Sequence, residues 1–425
     1  IESHSLKSDT DMYHFDLSRQ AAQLWPDFEI ELTQAANEHL PLVKHEIYNG
    51  SSLNQGTYVI NNAAADCVDD QNFDAIVKAL ETYDEKFNFV DPKDIPNYCP
   101  AQRSRAMRAI LIHNEGWLNP RLVIEKLDSV LKHSPKIKFI NSKAEKLILA
   151  KNSIVAVTLE NDVVIPGDIF LLANGSMTGS VLKQSELNLN VQPVFHGVGV
   201  SLELKAPDTP HNKCIRTPNR GGACGIYTVP FFQGQEQVND HIVVGASNFL
   251  SPEPFFHARV GSVGNLLESA VQEINENFFD AQLVRVNVGW RPTTLDTYPL
   301  LGKATIENLV IATGTKRNGF HLAPLIAQIM AALMMDEDVD EKLSIFAPER
   351  ELIRELSHDD AIEIGVKSLV SQHYQHGYRP SNIRMERLVQ EGFRKELEEL
   401  HKEVGALDWG IPPELINMYR RGYAS

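Results

Sequence analysis

The spacing of apolar residues predicts a mixed chain of helices and strands. Apolar side chains recur at near-helical intervals in residues 10–37, 72–84, 119–132, 261–278 and 322–335. Alternating or continuous apolar runs predict strands at 137–140, 153–159, 163–165, 168–173, 198–204, 226–230, 241–245, 284–289 and 309–312. After residue 350 one amphipathic helical face dominates, formed by Met385, Leu388, Val389, Phe393, Leu397, Leu400 and Val404. The pattern therefore indicates an α/β chain with a helical tail.

Two of the apolar strands lead into glycine turns. The run 168–173 ends in Asn174-Gly175, which is typical of a parallel sheet, and the strand at 309–312 leads through Gly314 into an apolar helix. Unpaired N–H groups and the helix dipole at such a helix start suit an anionic group. Arg291 and Arg317 flank this turn, and arginine binds carboxylates bidentately. An ordinary strand-turn-helix with surface arginines explains the same residues equally well.

Composition narrows the function classes. With 43% apolar and 23% charged residues over 425 positions, the chain is globular, not disordered or coiled-coil. A net charge of −16 argues against a nucleic-acid partner. No apolar run approaches the roughly 18 residues of a membrane span. Four cysteines without C-x-x-C spacing predict neither a disulfide framework nor a metal site, and they favour a reducing, cytoplasmic location.

The order of several short motifs carries a family resemblance. Gly289-Trp-Arg291-Pro precedes the segment 314–324, Gly-Thr-Lys-Arg-Asn-Gly-Phe-His-Leu-Ala-Pro. Together they resemble the carboxyl-terminal signature of the FAD-dependent D-amino acid oxidase family, especially its glycine oxidase and sarcosine oxidase members. The segments 114–120, 168–175 and 191–197 resemble earlier family motifs in the same order. The resemblance covers about residues 10–345.

This resemblance implies a domain organisation. A Rossmann-like FAD-binding domain would comprise residues 1–40, 101–190 and 284–349, and a β-rich substrate domain would comprise 41–100 and 191–283. Residues 350–425 would form a helical C-terminal extension outside the family pattern.

The resemblance also implies the cofactor, the reaction and the site. FAD would take a hydride at flavin N5 as the C–N bond of an amino acid or related amine is oxidised. Tyr227, in the segment Tyr-Thr-Val-Pro, and Arg291 would meet the substrate carboxylate, with Arg317 near the same pocket. By itself, Tyr227 is equally well explained as an aromatic side chain that lies on a strand and serves only in packing. The implied cofactor contacts are Ala144, Ala173, Gly175, Gly289, Arg291, Gly314, Lys316, Arg317, Asn318, Gly319 and Phe320.

One family feature is not found. The G-x-G-x-x-G phosphate loop of the first βαβ unit does not occur, residues 11–37 already resemble the helix that follows it, and the chain begins at Ile1. We therefore expect the larger chain of a two-chain hetero-oligomer, whose second polypeptide carries the missing unit. Two alternatives remain open: a non-catalytic assembly subunit, and a different flavin reaction, such as N-oxygenation, on an amine metabolite.

Overall fold

The fold is taken from a computed structural model of the chain. It describes residues 8–38, 48–63, 66–207, 211–220, 225–375 and 380–424. The sequence also predicts short strands and turns within residues 40–100, and the first of these, at 45–50, lies mostly outside the described residues. In the described part of the chain, no helix combines the length and apolar character needed to cross a membrane.

Helices and strands alternate along most of the chain. The helices are α1 (Asp9–Glu38), α2 (Cys67–Thr82), α3 (Pro120–His133), α4 (Thr178–Gln184), α5 (Val260–Ser269), α6 (Gly319–Met334), α7 (His358–Gln375), α8 (Ile383–Glu403) and α9 (Ile416–Arg420). The strands are β1 (Leu53–Asn62), β2 (Phe87–Val90), β3 (Ala106–Leu118), β4 (Ala144–Ala150), β5 (Ser153–Leu159), β6 (Val164–Pro166), β7 (Phe170–Leu172), β8 (Val194–Lys205), β9 (Cys214–Arg216), β10 (Tyr227–Gln233), β11 (Glu236–Gly245), β12 (Phe249–Ser251), β13 (Gln282–Thr294), β14 (Leu300–Lys303) and β15 (Leu309–Thr313).

Three sheets organise these strands. The largest has nine strands in the order β12-β8-β11-β10-β9-β1-β3-β2, with β13 also paired to β8. Because side chains alternate along a strand, Val200 and Leu202 of β8 point to one face, where they pack with Val244 and Leu266 of α5 in a buried core. The opposite face carries Gly199 and is left without this packing.

The second sheet has the order β14-β15-β7, and β15 pairs with β7 in parallel. Helices α1 and α6 cover it, so Leu17, Val310 and Leu322 share a buried cluster. The third sheet, β4-β5-β6, packs against the same layer through Leu147, Ile154 and Leu309. The predicted mixture of α/β and β-rich parts is therefore present.

The structure corrects several predicted elements. Residues 137–140 are exposed and belong to no strand, because no described strand lies beside them. The strand predicted at 284–289 ends too early, since β13 continues to Thr294 by pairing with β8 as far as Val194. The helix predicted over 261–278 is regular α-helix only to Ser269 and continues as π- and 3₁₀-helical turns.

The predicted domain boundaries do not coincide with the edges of the sheets. Residues 101–190 and 284–349 were assigned to the FAD-binding domain, but β3 and most of β13 lie within these ranges and belong to the nine-stranded sheet. Hydrogen bonds to β1 hold β3 in this sheet, and hydrogen bonds to β8 hold β13 in it. The division of the chain into cofactor and substrate domains stays a prediction.

The C-terminal extension packs on the rest of the chain through a buried ion pair. Arg350 Nη2 lies 2.9 Å from both carboxylate oxygens of Asp296, and the two side chains are 7% and 1% exposed. Asp296 also accepts from Gln192 and from the backbone N–H of Ile353. Beyond this pair, α7, α8 and α9 share an apolar cluster with residues on β8 and in the 295–298 loop.

Replacing Arg350 by Met should lower the free energy of unfolding by about 3–5 kcal/mol, because it leaves the buried Asp296 carboxylate without its cation. Urea titration at neutral pH measures the change. The matched control is Arg394→Met, which removes the exposed pair between Arg394 and Glu363 and should cost less than about 1 kcal/mol. Equal losses in the two variants would contradict the role given to the buried pair.

Candidate active site

Strand register places Tyr227 and Arg291 on one face of the nine-stranded sheet. Tyr227 pairs with Gly245, and Gly245 pairs with Ser201. Paired residues share a face, as do residues two apart on one strand. Gly199 lies two positions from Ser201 and pairs with Gly289, which in turn lies two positions from Arg291. Both side chains therefore lie opposite the apolar core.

Four glycines line this face, namely Gly197, Gly199, Gly245 and Gly289, and we call it the glycine face. A methyl group at Gly245 would collide with the Tyr227 ring, and one at Gly199 would collide with the Arg291 guanidinium. The two functional groups can lie flat on the sheet only because these positions lack side chains. At Gly289, by contrast, no atom of the described residues, apart from its chain neighbours, lies within 4 Å of where a methyl group would be.

Hydrogen bonds hold Arg291 in place. Its Nη1 donates to the Ser247 carbonyl and to Asn248 Oδ1, each at 3.2 Å. Among the described residues these bonds engage one of the three guanidinium nitrogens. A guanidinium has five N–H donors in a fixed fork, so the others can bind a carboxylate. Ser247 and Asn248 could not be predicted as partners of Arg291, because they lie more than 40 positions away from it in the chain.

The predicted glycine turns meet at the carboxyl ends of β7 and β15. Thr313 Oγ1 donates to the Gly175 carbonyl at 2.7 Å, which joins the two turns. Gly314 has a φ of +72°, and a methyl group there would press on Thr294, so glycine is required. Lys316 N–H donates to the Pro292 carbonyl at 2.8 Å. The turn is thereby fixed to the end of β13, next to Arg291.

The C-terminal extension reaches this turn. Glu414 pairs with Lys316 at 2.5 Å and with Arg317 at 3.3 Å. Arg317 is therefore directed toward the extension, whereas Arg291 lies on the glycine face. The sequence patterns gave no indication of Glu414, because the extension lies outside the region of family resemblance.

The described residues fit the flavin end of an FAD molecule. Asn318 makes no side-chain cap on α6, Gly319 and Phe320 are exposed, and Gly175 has open space beside it. Helix amides at an uncapped N-terminus can therefore face a ligand. Gly175 is joined to Thr313, at the end of β15, by a hydrogen bond, and Ala173 directly follows β7. Ala144 lies apart from it in sequence position and sheet, exposed at the start of β4.

The diphosphate end has no cradle among the described residues. Among the described strands β7 lies at the edge of its sheet with β15 as its one neighbour, and Leu171 on it is 38% exposed. The apolar run 168–173 is typical of a buried parallel strand. The parallel pairing with β15 is confirmed, but the burial is not, because burial on both sides would require a further strand. In the part of the chain that the structure describes, no three His, Cys, Asp or Glu side chains are grouped as a metal site requires.

A cavity of about 530 Å³ lies between α1, the 314–318 turn and the extension, and we call it the α1 cavity. Asp11, His14, Tyr298, Lys316 and Trp409 contribute to its wall. His14 Nε2 is buried and has no hydrogen-bond partner among the described residues. Burial, helped by the charge of Lys316, lowers the pKa of His14 to about 4. His14 is therefore neutral at physiological pH.

Comparison with known proteins identifies the fold. Residues 7–333 match the model of the family described as DAO, FAD dependent oxidoreductase. The bifunctional protein ThiO/ThiG of Synechocystis sp. is 27% identical over 247 residues, covering 55% of this chain and 34% of that protein. The glycine oxidase of Pseudomonas aeruginosa is 29% identical over 171 residues, covering 40% of this chain and 42% of that enzyme. The chain thus spans about a third of the length of the first curated relatives.

Solved structures show the same fold. The glycine oxidase from Geobacillus kaustophilus aligns with a TM-score of 0.62 at 18% identity, covering 80% of this chain and 83% of that one. At this identity the likeness shows the fold alone. Together with the family match it confirms the family resemblance and the α/β fold class predicted from the sequence.

Acid should destabilise the chain through His14. Its pKa is lower in the folded state than the unfolded value near 6.5, so the native state binds fewer protons between pH 6.5 and 4. The contribution of His14 to the free energy of unfolding is therefore fully present above pH 6.5 and is lost as the pH falls toward 4. Urea titrations at pH 7.5 and 4.5 should show this loss reduced by about 1–3 kcal/mol in His14→Gln.

The control for this experiment is His257→Gln, because His257 is an exposed side chain. Between pH 7.5 and 4.5, the His257→Gln variant should lose as much free energy of unfolding as the unaltered chain. If His14→Gln lost as much stability as the unaltered chain, His14 would not be buried in its neutral form.

Proposed function

The chain belongs to the DAO family of FAD-dependent oxidoreductases, and from this we propose that it provides the active site of an enzyme oxidising the C–N bond of an amino acid or related amine. When bound, FAD supplies the acceptor, at flavin N5, for the hydride that leaves the substrate Cα. The residues of this chain bind and orient the substrate for that transfer.

One observation carries this proposal: Tyr227 and Arg291 lie on the same glycine face. A hydroxyl and a guanidinium there can bind a substrate carboxylate together. Holding the carboxylate at two points fixes the direction of the neighbouring Cα–H, which is the positional requirement of hydride transfer. The open space above Gly289 leaves room for a planar ring beside Arg291. The turn at 314–318 and the first amides of α6 would face that ring.

We further propose that a dinucleotide-binding unit completes the site along β7. An unpaired strand edge with exposed apolar side chains is a template for a further strand. Ile169 and Leu171 are exposed at this edge, and Phe139 is exposed in the unpaired segment 137–140. On α3 the exposed residues Ile124, Leu127 and Leu131 recur at helical spacing. A second chain that adds strands here would cover these surfaces and supply the phosphate loop.

One observation favours the alternative of a non-catalytic assembly subunit. Glu414 neutralises Lys316 and Arg317, two cations of the turn that would face the cofactor. In that case the extension would stabilise the turn in place of a ligand. Such a subunit would bind no flavin even when its partner is present, which separates it from the enzyme.

Replacing Arg291 by Met should lower kcat/KM for an amino acid substrate about 10- to 100-fold, because a charge-assisted hydrogen bond to the carboxylate is lost. Arg291→Lys should retain part of the kcat/KM that Arg291→Met loses, because lysine keeps the positive charge but lacks the paired N–H donors of a planar guanidinium. Steady-state kinetics on the flavin-loaded complex, with an amino acid and its decarboxylated amine, measure both effects. The loss should be confined to the substrate that has the carboxylate.

The matched control is Arg285→Met, an exposed arginine on the same strand. It should keep the kcat/KM of the unaltered enzyme. Equal losses for the amino acid and the amine in Arg291→Met, or no loss at all, would contradict the binding role of Arg291.

Purification of the native complex tests the two-chain form. We expect a yellow complex containing a second polypeptide with a G-x-G-x-x-G segment, because the described residues provide no diphosphate cradle. Intact-mass and amino-terminal sequencing of every copurifying chain identify it. A yellow protein whose phosphate loop lies on the same polypeptide would contradict the two-chain form.

A further inference from the structure

A second cavity, of about 380 Å³, lies between α5 and the C-terminal extension, and we call it the α5 cavity. Ser247 and Asn248 form part of its wall, and both accept hydrogen bonds from Arg291. The cavity therefore begins beside the guanidinium that we assign to the substrate carboxylate. Arg259 and Arg421 line it as well, the first from the start of α5 and the second from the extension.

The Arg259 side chain is held by aromatic rings. Its guanidinium carbon lies 3.4 Å from the centre of the Phe249 ring and 4.9 Å from that of Phe255. Cation–π contacts of this kind fix a guanidinium without neutralising it. Partial burial, and then the nearby charge of Arg421, lower the pKa of Arg259. The two like charges thus repel each other across the same space.

Among the described residues, the acidic groups around the cavity are already paired. Glu414 lines the cavity but binds Lys316 and Arg317. Arg220, a third arginine of the wall, is neutralised by Asp69 and Glu273. Among the residues that the structure describes, neither Arg259 nor Arg421 has a carboxylate within ion-pair distance. A net positive charge is therefore left at this end of the cavity.

The backbone adds donors at the same place. Arg259 precedes α5 without making a side-chain cap, and Gly261 and Ser262 of its first turn line the cavity. The first amides of a ten-residue helix have no intrahelical acceptor and carry the positive end of the helix dipole. An anion in this position would meet two guanidinium groups and the helix start.

We propose that the α5 cavity is a specificity subsite that binds a second, distal carboxylate of the amine substrate through Arg259 and Arg421. The inference rests on the proposed function, because it takes Arg291 as the anchor of the first carboxylate. It deepens that function by naming the substrate class, an amino acid or secondary amine with two carboxylates. Arginine binds carboxylates bidentately, which favours this group over a neutral side chain.

Binding of dicarboxylates tests the subsite without turnover. Calorimetry on the flavin-loaded complex compares succinate and glutarate with butanoate and pentanoate, which have the same chain lengths and one carboxylate. We expect at least one dicarboxylate to bind about 10-fold or more tightly than its partner, which corresponds to about 1.4 kcal/mol. The double variant Arg259→Gln/Arg421→Gln should remove this preference and leave monocarboxylate binding unchanged.

The control Arg285→Gln should keep the preference, and circular dichroism of each variant checks that the fold is intact. Equal affinities for both probe classes in the unaltered complex would overturn the proposal. So would a preference that survives the double variant, or tight binding of inorganic phosphate with no preference between the carboxylates. Because no step of this test needs turnover, it can succeed even if no amine is oxidised, and the proposed function would then fail alone.

Discussion

The buried ion pair between Asp296 and Arg350 is the contact on which the arrangement of the site depends. A carboxylate and a guanidinium removed from water cost several kcal/mol each, and only close pairing and further hydrogen bonds offset that cost. Asp296 is engaged in this way by the segment entering β8, by its own loop after β13 and by the start of the extension. These three segments therefore keep one relative position.

That position decides what the extension can do. Once Arg350 is fixed, the extension brings Glu414 to the turn before α6 and Arg421 to the α5 cavity. The nine-stranded sheet contributes the other side, because its glycine face carries both Tyr227 and Arg291. The proposed site thus lies between the sheet on one side and the added helical segment on the other. In this proposal the anchor for the substrate carboxylate comes from the sheet, and the second carboxylate would be bound from both sides.

Much of the fold could be predicted from the sequence, because long apolar periods fix α1 and α6, and a proline after an asparagine cap fixes the start of α3. Segment 137–140 was predicted wrongly, since its strand pattern needs a neighbour that the described residues do not provide. Motif order indicated Tyr227 and Arg291, but their shared face follows only from strand register. The roles of Asp296 and Glu414 could not be predicted, because a buried ion pair between distant segments has no local pattern.

The proposed function requires that this chain place an amine substrate against a flavin. Anaerobic titration of the purified native complex with candidate amino acids and amines, followed by the flavin absorbance spectrum, is the decisive measurement. We expect a yellow complex whose oxidised-flavin absorbance is bleached by substrate in the absence of oxygen. A colourless complex, or a flavin band that no amine or amino acid changes, would contradict it.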